Sequence, residues 1–317
     1  MALCSVVIPV YRNEESLTAL LAELTDLATS MRDELEVVFV VDGSPDASAD
    51  VLRRLLPQAS FRSQLLLHSR NYGAAAAVRT GLQAARGAYI GVMAADLQEP
   101  ASLMTGFFAK LQAGHDVAVG MRTERDDPAL TALNAKIFWS FFRRFIMPEI
   151  PEGGVDVFGL SARARDALVS LPERNSSLVA QLFWIGFTRT EVPYARRPRP
   201  FGTSAWTFKK KVQYLLDSVY NFTDLPIRFL LFIGLGAMAL AFVGAATVLI
   251  GRLLGEIPVR GYTPTVLIIV FFGGLNSFGL GIIGQYVWRT FENTKQRPLS
   301  IVSDRLAFEA TSSPPPS

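Results

Sequence analysis

Short apolar runs alternate with longer mixed stretches along the first 120 residues or so. Ser5–Val10, Glu36–Val41, Gln64–His68, Ala88–Met93 and Asp116–Gly120 are rich in Val, Ile, Leu or Ala, as expected of strands buried on both faces. Between the first two, Leu17, Leu20, Leu21, Leu24, Leu27 and Ala28 recur at helical spacing, so one face of a helix turns toward a core. Alternating strand and helix predicts an α/β domain with a mostly parallel sheet. Its ligand crevice belongs at the C-terminal ends of the strands.

The pattern changes further along. Residues 128–147 read as an amphipathic helix: Leu133, Ile137, Phe138, Phe141, Phe142 and Phe145 form a broad face, with Lys136, Arg143 and Arg144 beside it. Such a helix lies in a membrane interface, or packs on the core or a second subunit. Phe229–Gly251 and Gly261–Trp288 carry no charged residue, and each is long enough to span a bilayer. Arg196, Arg197, Arg199 and Lys209–Lys211 precede them, which marks that flank as cytoplasmic. The loop between the spans, with Arg252, Glu256 and Arg260, is nearly balanced in charge and is expected on the opposite side.

The expected organisation is therefore a cytoplasmic catalytic domain over 1–205 and a juxtamembrane amphipathic segment over 206–226. Two transmembrane helices follow within 227–290, at about 229–251 and 263–288. A cytoplasmic tail covers 291–317, disordered at its Pro-rich end Thr311–Ser317. This is a multi-pass inner-membrane protein with both termini cytoplasmic, and with no basic n-region of a signal peptide before the first strand. Mean hydropathy is +0.28, raised by the spans. A net charge of +3 suits an anionic membrane surface or phosphate-rich ligands. The basic residues cluster beside the spans, which argues against nucleic acid. The single Cys4 excludes an internal disulfide and fits a reducing compartment.

Chemistry gathers where the strands end. In Ser5-Val-Val-Ile-Pro-Val-Tyr-Arg-Asn-Glu14, Pro9 and Tyr11 close the first strand. The Tyr11 ring can flank a nucleobase, and Glu14 can accept from a ribose or simply favour the helix dipole. In Val41-Asp-Gly-Ser-Pro-Asp46, Asp42 can accept from a base or sugar edge while Gly43 lets backbone approach. His68-Ser-Arg-Asn-Tyr-Gly73 offers Arg70 to a diphosphate or to Asp96; His68 reads as a packed strand-end residue. In Met93-Ala-Ala-Asp-Leu-Gln-Glu-Pro100, Asp96 can hold a divalent cation against a diphosphate.

Two further segments, Gly153-Gly-Val-Asp-Val-Phe-Gly-Leu160 and Arg199-Pro-Phe-Gly-Thr-Ser204, complete an ordered set. The set resembles the family 2 glycosyltransferases that act on polyisoprenyl phosphates, from Ser5 to about Pro298. The resemblance implies a Rossmann-like GT-A domain binding a nucleotide diphosphate sugar, with inverting transfer to a membrane polyprenyl phosphate such as undecaprenyl phosphate. The product would be a lipid-linked sugar for envelope glycan modification. It assigns Pro9, Tyr11, Glu14 and Asp42 to the nucleoside, with Arg70 also on the donor, and Arg199 and Ser204 to a loop closing on the diphosphate. Asp96 and Gln98 would hold Mg²⁺ or Mn²⁺, and Asp96, Arg122 and Asp156 would lie at the reaction centre. The resemblance also allows a homo-oligomer. Three positions depart from the pattern: Val41, Ala205 and Ala94, the last replacing the first acidic residue of the metal motif. Ala94 motivates a second reading, a catalytically impaired relative that scaffolds or regulates membrane glycan assembly. A processive synthase is disfavoured, since there is no Gln-x-x-Arg-Trp motif and only two spans.

Overall fold

The computed structural model describes residues 2–123, 139–140, 142–151, 154–201, 208–254 and 261–311. The chain divides into two compact units, one of Met1–Lys211 with Pro298–Ser317 and one of Val212–Arg297.

The first unit is built on an eight-stranded sheet in the order β7-β5-β6-β4-β1-β2-β3-β8. Its strands are β1 (Leu3–Val10), β2 (Glu34–Val41), β3 (Arg62–His68), β4 (Tyr89–Val92), β5 (Val117–Arg122), β6 (Phe158–Ser161), β7 (Arg189–Tyr194) and β8 (Val302–Phe308). The pairs β1–β2, β1–β4, β2–β3 and β5–β7 are parallel; β6 and β8 run against their neighbours. The mostly parallel sheet expected from the sequence is present. The helices α1 (Glu14–Ser30), α2 (Ser48–Leu55), α3 (Ala74–Ala84), α4 (Leu103–Gln112), α5 (Ala162–Val169) and α6 (Leu178–Trp184) belong to this unit.

Burial explains the pairing. Val6, Val7, Ile8, Val37, Val38, Phe39 and Val40 are all fully buried, so both faces of β1 and β2 are covered. Leu17, Leu20, Leu24 and Leu27 of α1 bury the predicted stripe, each contributing roughly 1.5–3 kcal/mol. On the other face, α3 approaches so closely that a Cβ at Gly81 would meet Val7 Cγ1 at 2.2 Å. Cys4 is fully buried in β1; burial, with Asp33 nearby, pushes its thiol up to about 12.

Three strands escaped the hydrophobic pattern. β6 is four residues long and contains Gly159. β7 and β8 are the two edges of the sheet, each with partly exposed positions. Strand β8 lies within the stretch 291–317 read as a tail: Ser63–His68 pair antiparallel with Phe308–Val302. The segment after the long helices thus adds an edge strand to the sheet of the first unit. Of the expected 128–147 helix, residues 139–140 and 142–145 are helical, with Phe142 buried, while 146–147 lie past the helical residues; residues 128–138 and 141, and the tail from 312, lie outside the described residues.

The second unit contains most of α7 (Phe208–Phe222) together with α8 (Leu225–Leu253) and α9 (Tyr262–Thr294). Leu225–Gly244 has mean hydropathy 2.1 and is not buried within the protein, the one stretch among the described residues long and apolar enough to cross a membrane. The second expected span falls within α9, which does not meet that test among the described residues. Phe232 and Phe242 of α8 are 72% and 77% exposed. Asp217 of α7 pairs with Arg289 of α9 at 2.7 Å, and the Arg289 guanidinium lies over the Tyr220 ring.

Candidate active site

Strands β4, β1 and β2 are adjacent, and the chain leaves β1 toward β2 on one side but returns to β4 on the other. That is a topological switch point, where open α/β sheets leave a crevice. Each of the three strands is followed by a residue with left-handed backbone: Arg12 (φ 57°), Gly43 (φ 57°) and Leu97 (φ 60°). For Arg12 and Leu97 this costs about 1–2 kcal/mol each, a cost spent at one rim of the sheet. Gly43 is required for a second reason: a Cβ there would sit 2.3 Å from the Arg70 carbonyl carbon.

The β1–β2 side of the rim is acidic and internally bonded. Glu14 N–H donates to Asp46 Oδ2 (3.1 Å) and Ala47 N–H donates to Glu14 Oε2 (2.7 Å), so the two carboxylates cap each other's helices. Burial raises the Asp46 carboxyl, but hydrogen bonds led by Ser44 outweigh it and hold it below its ordinary value. Asp42 is 2% exposed. It accepts from Tyr72 N–H (2.8 Å) and Gly73 N–H (2.7 Å), and lies 2.8 Å from His68 Nδ1. Burial opposes its charge, yet these bonds prevail and its pKa is lowered. A cavity of about 290 Å³ opens here, lined by Arg12, Glu14, Asp46 and Phe201 among others. Tyr11 does not line it; Arg12 lies 5.6 Å over the Tyr11 ring, and Pro9 sits in β1 opposite Val40.

The β4 side is basic. Arg199 Nη2 is 2.5 Å from Asp96 Oδ2 and 3.4 Å from Gln98 Oε1; Arg196 Nη2 donates to Gln98 Oε1 at 2.6 Å. Arg197 ties the same stretch down through its N–H to the Gln98 carbonyl (2.9 Å) and its guanidinium to Glu23 (2.5 Å). Residues 196–199 therefore clamp the turn at 96–99. Glu99 is 2% exposed and its Oε2 has no hydrogen-bond partner among the described residues. Burial, then repulsion from Asp96, pushes its carboxyl up, against the pull of Arg196 and Arg122. Arg122, at the end of β5, pairs with Asp156. Tyr194, at the end of β7, is pushed up by burial, while Arg122 and Arg196 pull it down.

The structure thus brings Asp96, Gln98 and Arg199 together, and Arg122 with Asp156. Arg70 lies elsewhere, stacked 4.1 Å over Tyr72 and donating to the Asn71 carbonyl; the partner of Asp96 is Arg199. Ser204 lies outside the described residues. The sequence reading missed Tyr194 and the inward role of Arg196 and Arg197, because a basic run before an apolar span reads as headgroup contact.

Among the described residues no three His, Cys, Asp or Glu side chains converge on one point. Asp96 and Gln98 offer one carboxylate and one amide oxygen, and Ala94 supplies no second carboxylate. Mg²⁺ is often held by one or two carboxylates plus substrate phosphates and waters, so the donor set fits a divalent cation bound mainly through a diphosphate.

A mostly parallel sheet with an acidic cleft and an arginine-rich turn meeting at its switch point defines an α/β group-transfer enzyme of the GT-A-like kind. The chain belongs to glycosyl transferase family 2, whose family model matches residues 5–168, and it is a glycosyltransferase. It is 30% identical over 308 residues to an uncharacterized glycosyltransferase of Synechocystis sp., covering 96% of each chain. It is 30% identical over 301 residues to the bactoprenol glucosyl transferase of Shigella phage SfV, covering 95% of this chain and 98% of that one. Among solved structures, Mycobacterium tuberculosis glucosyl-3-phosphoglycerate synthase matches 68% of this chain and 81% of its own at 14% identity, with a TM-score of 0.46.

Proposed function

We propose that the chain transfers a sugar, with inversion, from a nucleotide diphosphate sugar to a polyprenyl phosphate of the undecaprenyl type, at the cytoplasmic face of the inner membrane. The lipid-linked sugar would supply envelope glycan modification. The observation that carries this reading is the arginine clamp on the Asp96 turn at the switch point. The exposed apolar helix Leu225–Gly244, and full-length similarity to a bactoprenol glucosyl transferase, point the acceptor toward a lipid. In this reading α8 and α9 both span, 1–205 and both termini are cytoplasmic, and the 252–260 loop is exoplasmic.

Arg199, Arg196 and Arg122 neutralise the charge that grows on the leaving diphosphate. A bound Mg²⁺ or Mn²⁺, held by Asp96 and Gln98, would add to that neutralisation. The acceptor phosphate is largely anionic near neutral pH, so no strong general base is required and positioning supplies much of the rate. Asp156 then serves by holding Arg122, its ion-pair partner. The cavity beside Glu14 and Asp46 takes the nucleoside, next to Tyr11 and Asp42.

The test is a screen of UDP- and GDP-sugars against polyprenyl phosphate, with and without chelator. A glycosylated lipid product with one donor supports the reading; no product with any donor sinks it. Ala94, and the pairing of Asp96 with Arg199, favour one rival, an inactive scaffold of membrane glycan assembly. That rival requires Asp96→Ala to leave the cellular phenotype intact.

A further inference from the structure

Four side chains from four parts of the first unit form one hydrogen-bonded line. Asp42 follows β2, His68 ends β3, Thr80 lies on α3 and Ser300 precedes β8. His68 Nδ1 is 2.8 Å from Asp42 Oδ1, and His68 Nε2 is 2.9 Å from Thr80 Oγ1. Thr80 Oγ1 is 2.7 Å from Ser300 Oγ. Asp42, His68 and Thr80 are buried at 2%, 5% and 4% exposure.

The line has a direction. An ionised carboxylate only accepts, so Nδ1 carries a hydrogen toward Asp42. In the neutral tautomer Nε2 then accepts from the Thr80 hydroxyl, whose oxygen accepts from Ser300. Asp42 takes two further bonds, from Tyr72 and Gly73 N–H. A carboxylate has about four lone-pair sites; contacts among the described residues use three, two on Oδ1 and one on Oδ2, which leaves one on Oδ2.

We infer that His68, backed by Thr80 and Ser300, is a positioning residue for the donor: it fixes the Asp42 carboxylate so that its remaining acceptor site meets an N–H or O–H of the nucleoside. The inference rests on the donor reading of Asp42 proposed above. It also gives the returning C-terminal segment a part in donor binding. Ser300 lies beyond the end of α9 at Thr294 and closes the line at the far end.

The test uses the full-length protein in lipid nanodiscs, with UDP-glucose and GDP-mannose titrated calorimetrically and kcat measured with undecaprenyl phosphate. His68→Ala is expected to weaken donor binding about tenfold, the scale of one hydrogen bond to a charged group, while kcat moves less than about threefold. His68→Asn keeps an N–H near the Nδ1 position and is expected to restore binding to within about threefold. Ser300→Ala is expected to weaken it about two- to threefold. Should His68→Ala not fold, the Asn and Ser300 variants carry the test. Wild-type donor affinity in both His68→Ala and Ser300→Ala overturns the inference, as does loss of kcat at unchanged affinity. Asp42→Asn separates the two readings. If it weakens donor binding while the His68 and Ser300 variants do not, only the positioning role fails. If Asp42→Asn binds normally, or the unaltered chain binds neither nucleotide sugar, the donor reading itself fails and takes the inference with it.

Discussion

Asp96 and Arg199 sit 2.5 Å apart with side chains 12% and 27% exposed, a pair largely shielded from solvent but open to a ligand. Removing the carboxylate takes away the only acidic side chain on the turn that faces the clamp, apart from the buried Glu99. Asp96→Ala is expected to lower kcat by about a hundredfold or more in a lipid-glycosylation assay; full activity would remove Asp96 from the site. Ala94→Asp adds the missing carboxylate and is expected to shift the Mn²⁺ titration to lower concentration; an unchanged midpoint would place residue 94 away from the ion. Acid behaviour follows from three aspartates. Asp42, Asp46 and Asp116 are each raised by burial but lowered overall by hydrogen bonds, for Asp116 chiefly from Arg163. The unfolded chain protonates these groups at higher pH than the folded one. Their stabilisation is complete above the ordinary Asp value near pH 4 and is lost as pH falls through the folded values. Melting temperature is thus expected to be flat from about pH 7 to about pH 5 and to drop below about pH 4, less steeply in Asp116→Asn.

At the scale of elements, strands β1–β5 were legible because burial on both faces writes a continuous apolar run. The edges were not. β8 alternates exposed and partly buried positions along Val302–Phe308, so its sequence is half polar, and its partner β3 lies more than two hundred residues away in the chain. Periodicity carries no record of such a partner. The polar positions suit an edge: Asp304 pairs with Arg53 at 3.2 Å, and charge there discourages further strand addition. The site divides the same way. Asp42, Asp96 and Arg122 were legible because each closes or follows a strand. The inward turn of Arg196 and Arg197 was not, because the pairing that aims them, to Gln98 and Glu23, exists only in the folded chain. Deleting 302–311 would leave the β3 edge open and is expected to lower the melting temperature by several degrees and to produce aggregates on size-exclusion chromatography. An unchanged, monodisperse protein would show that β8 contributes little.

The whole chain joins an α/β unit, with β8 at one edge of its sheet, to a unit with many exposed apolar side chains. Burying surface as apolar as Leu225–Gly244 in a bilayer stabilises far more than leaving it in water. The full-length chain is therefore expected to stay in the membrane fraction after alkaline carbonate extraction; release into the supernatant would refute the spanning assignment. The proposed sidedness has its own test. Glu256→Cys, between α8 and α9, is expected to react with an impermeant maleimide on intact cells, and Ala113→Cys, exposed at the end of α4, only after permeabilisation.

Those labelling experiments need no cysteine-free background. The chain's single native thiol, Cys4, lies near the start of β1, fully buried, and is held as the unreactive thiol. Any thiol that reacts under native conditions is one the experimenter placed there, so thiol-directed dyes, spin labels or crosslinkers can be sited one at a time on an otherwise silent molecule.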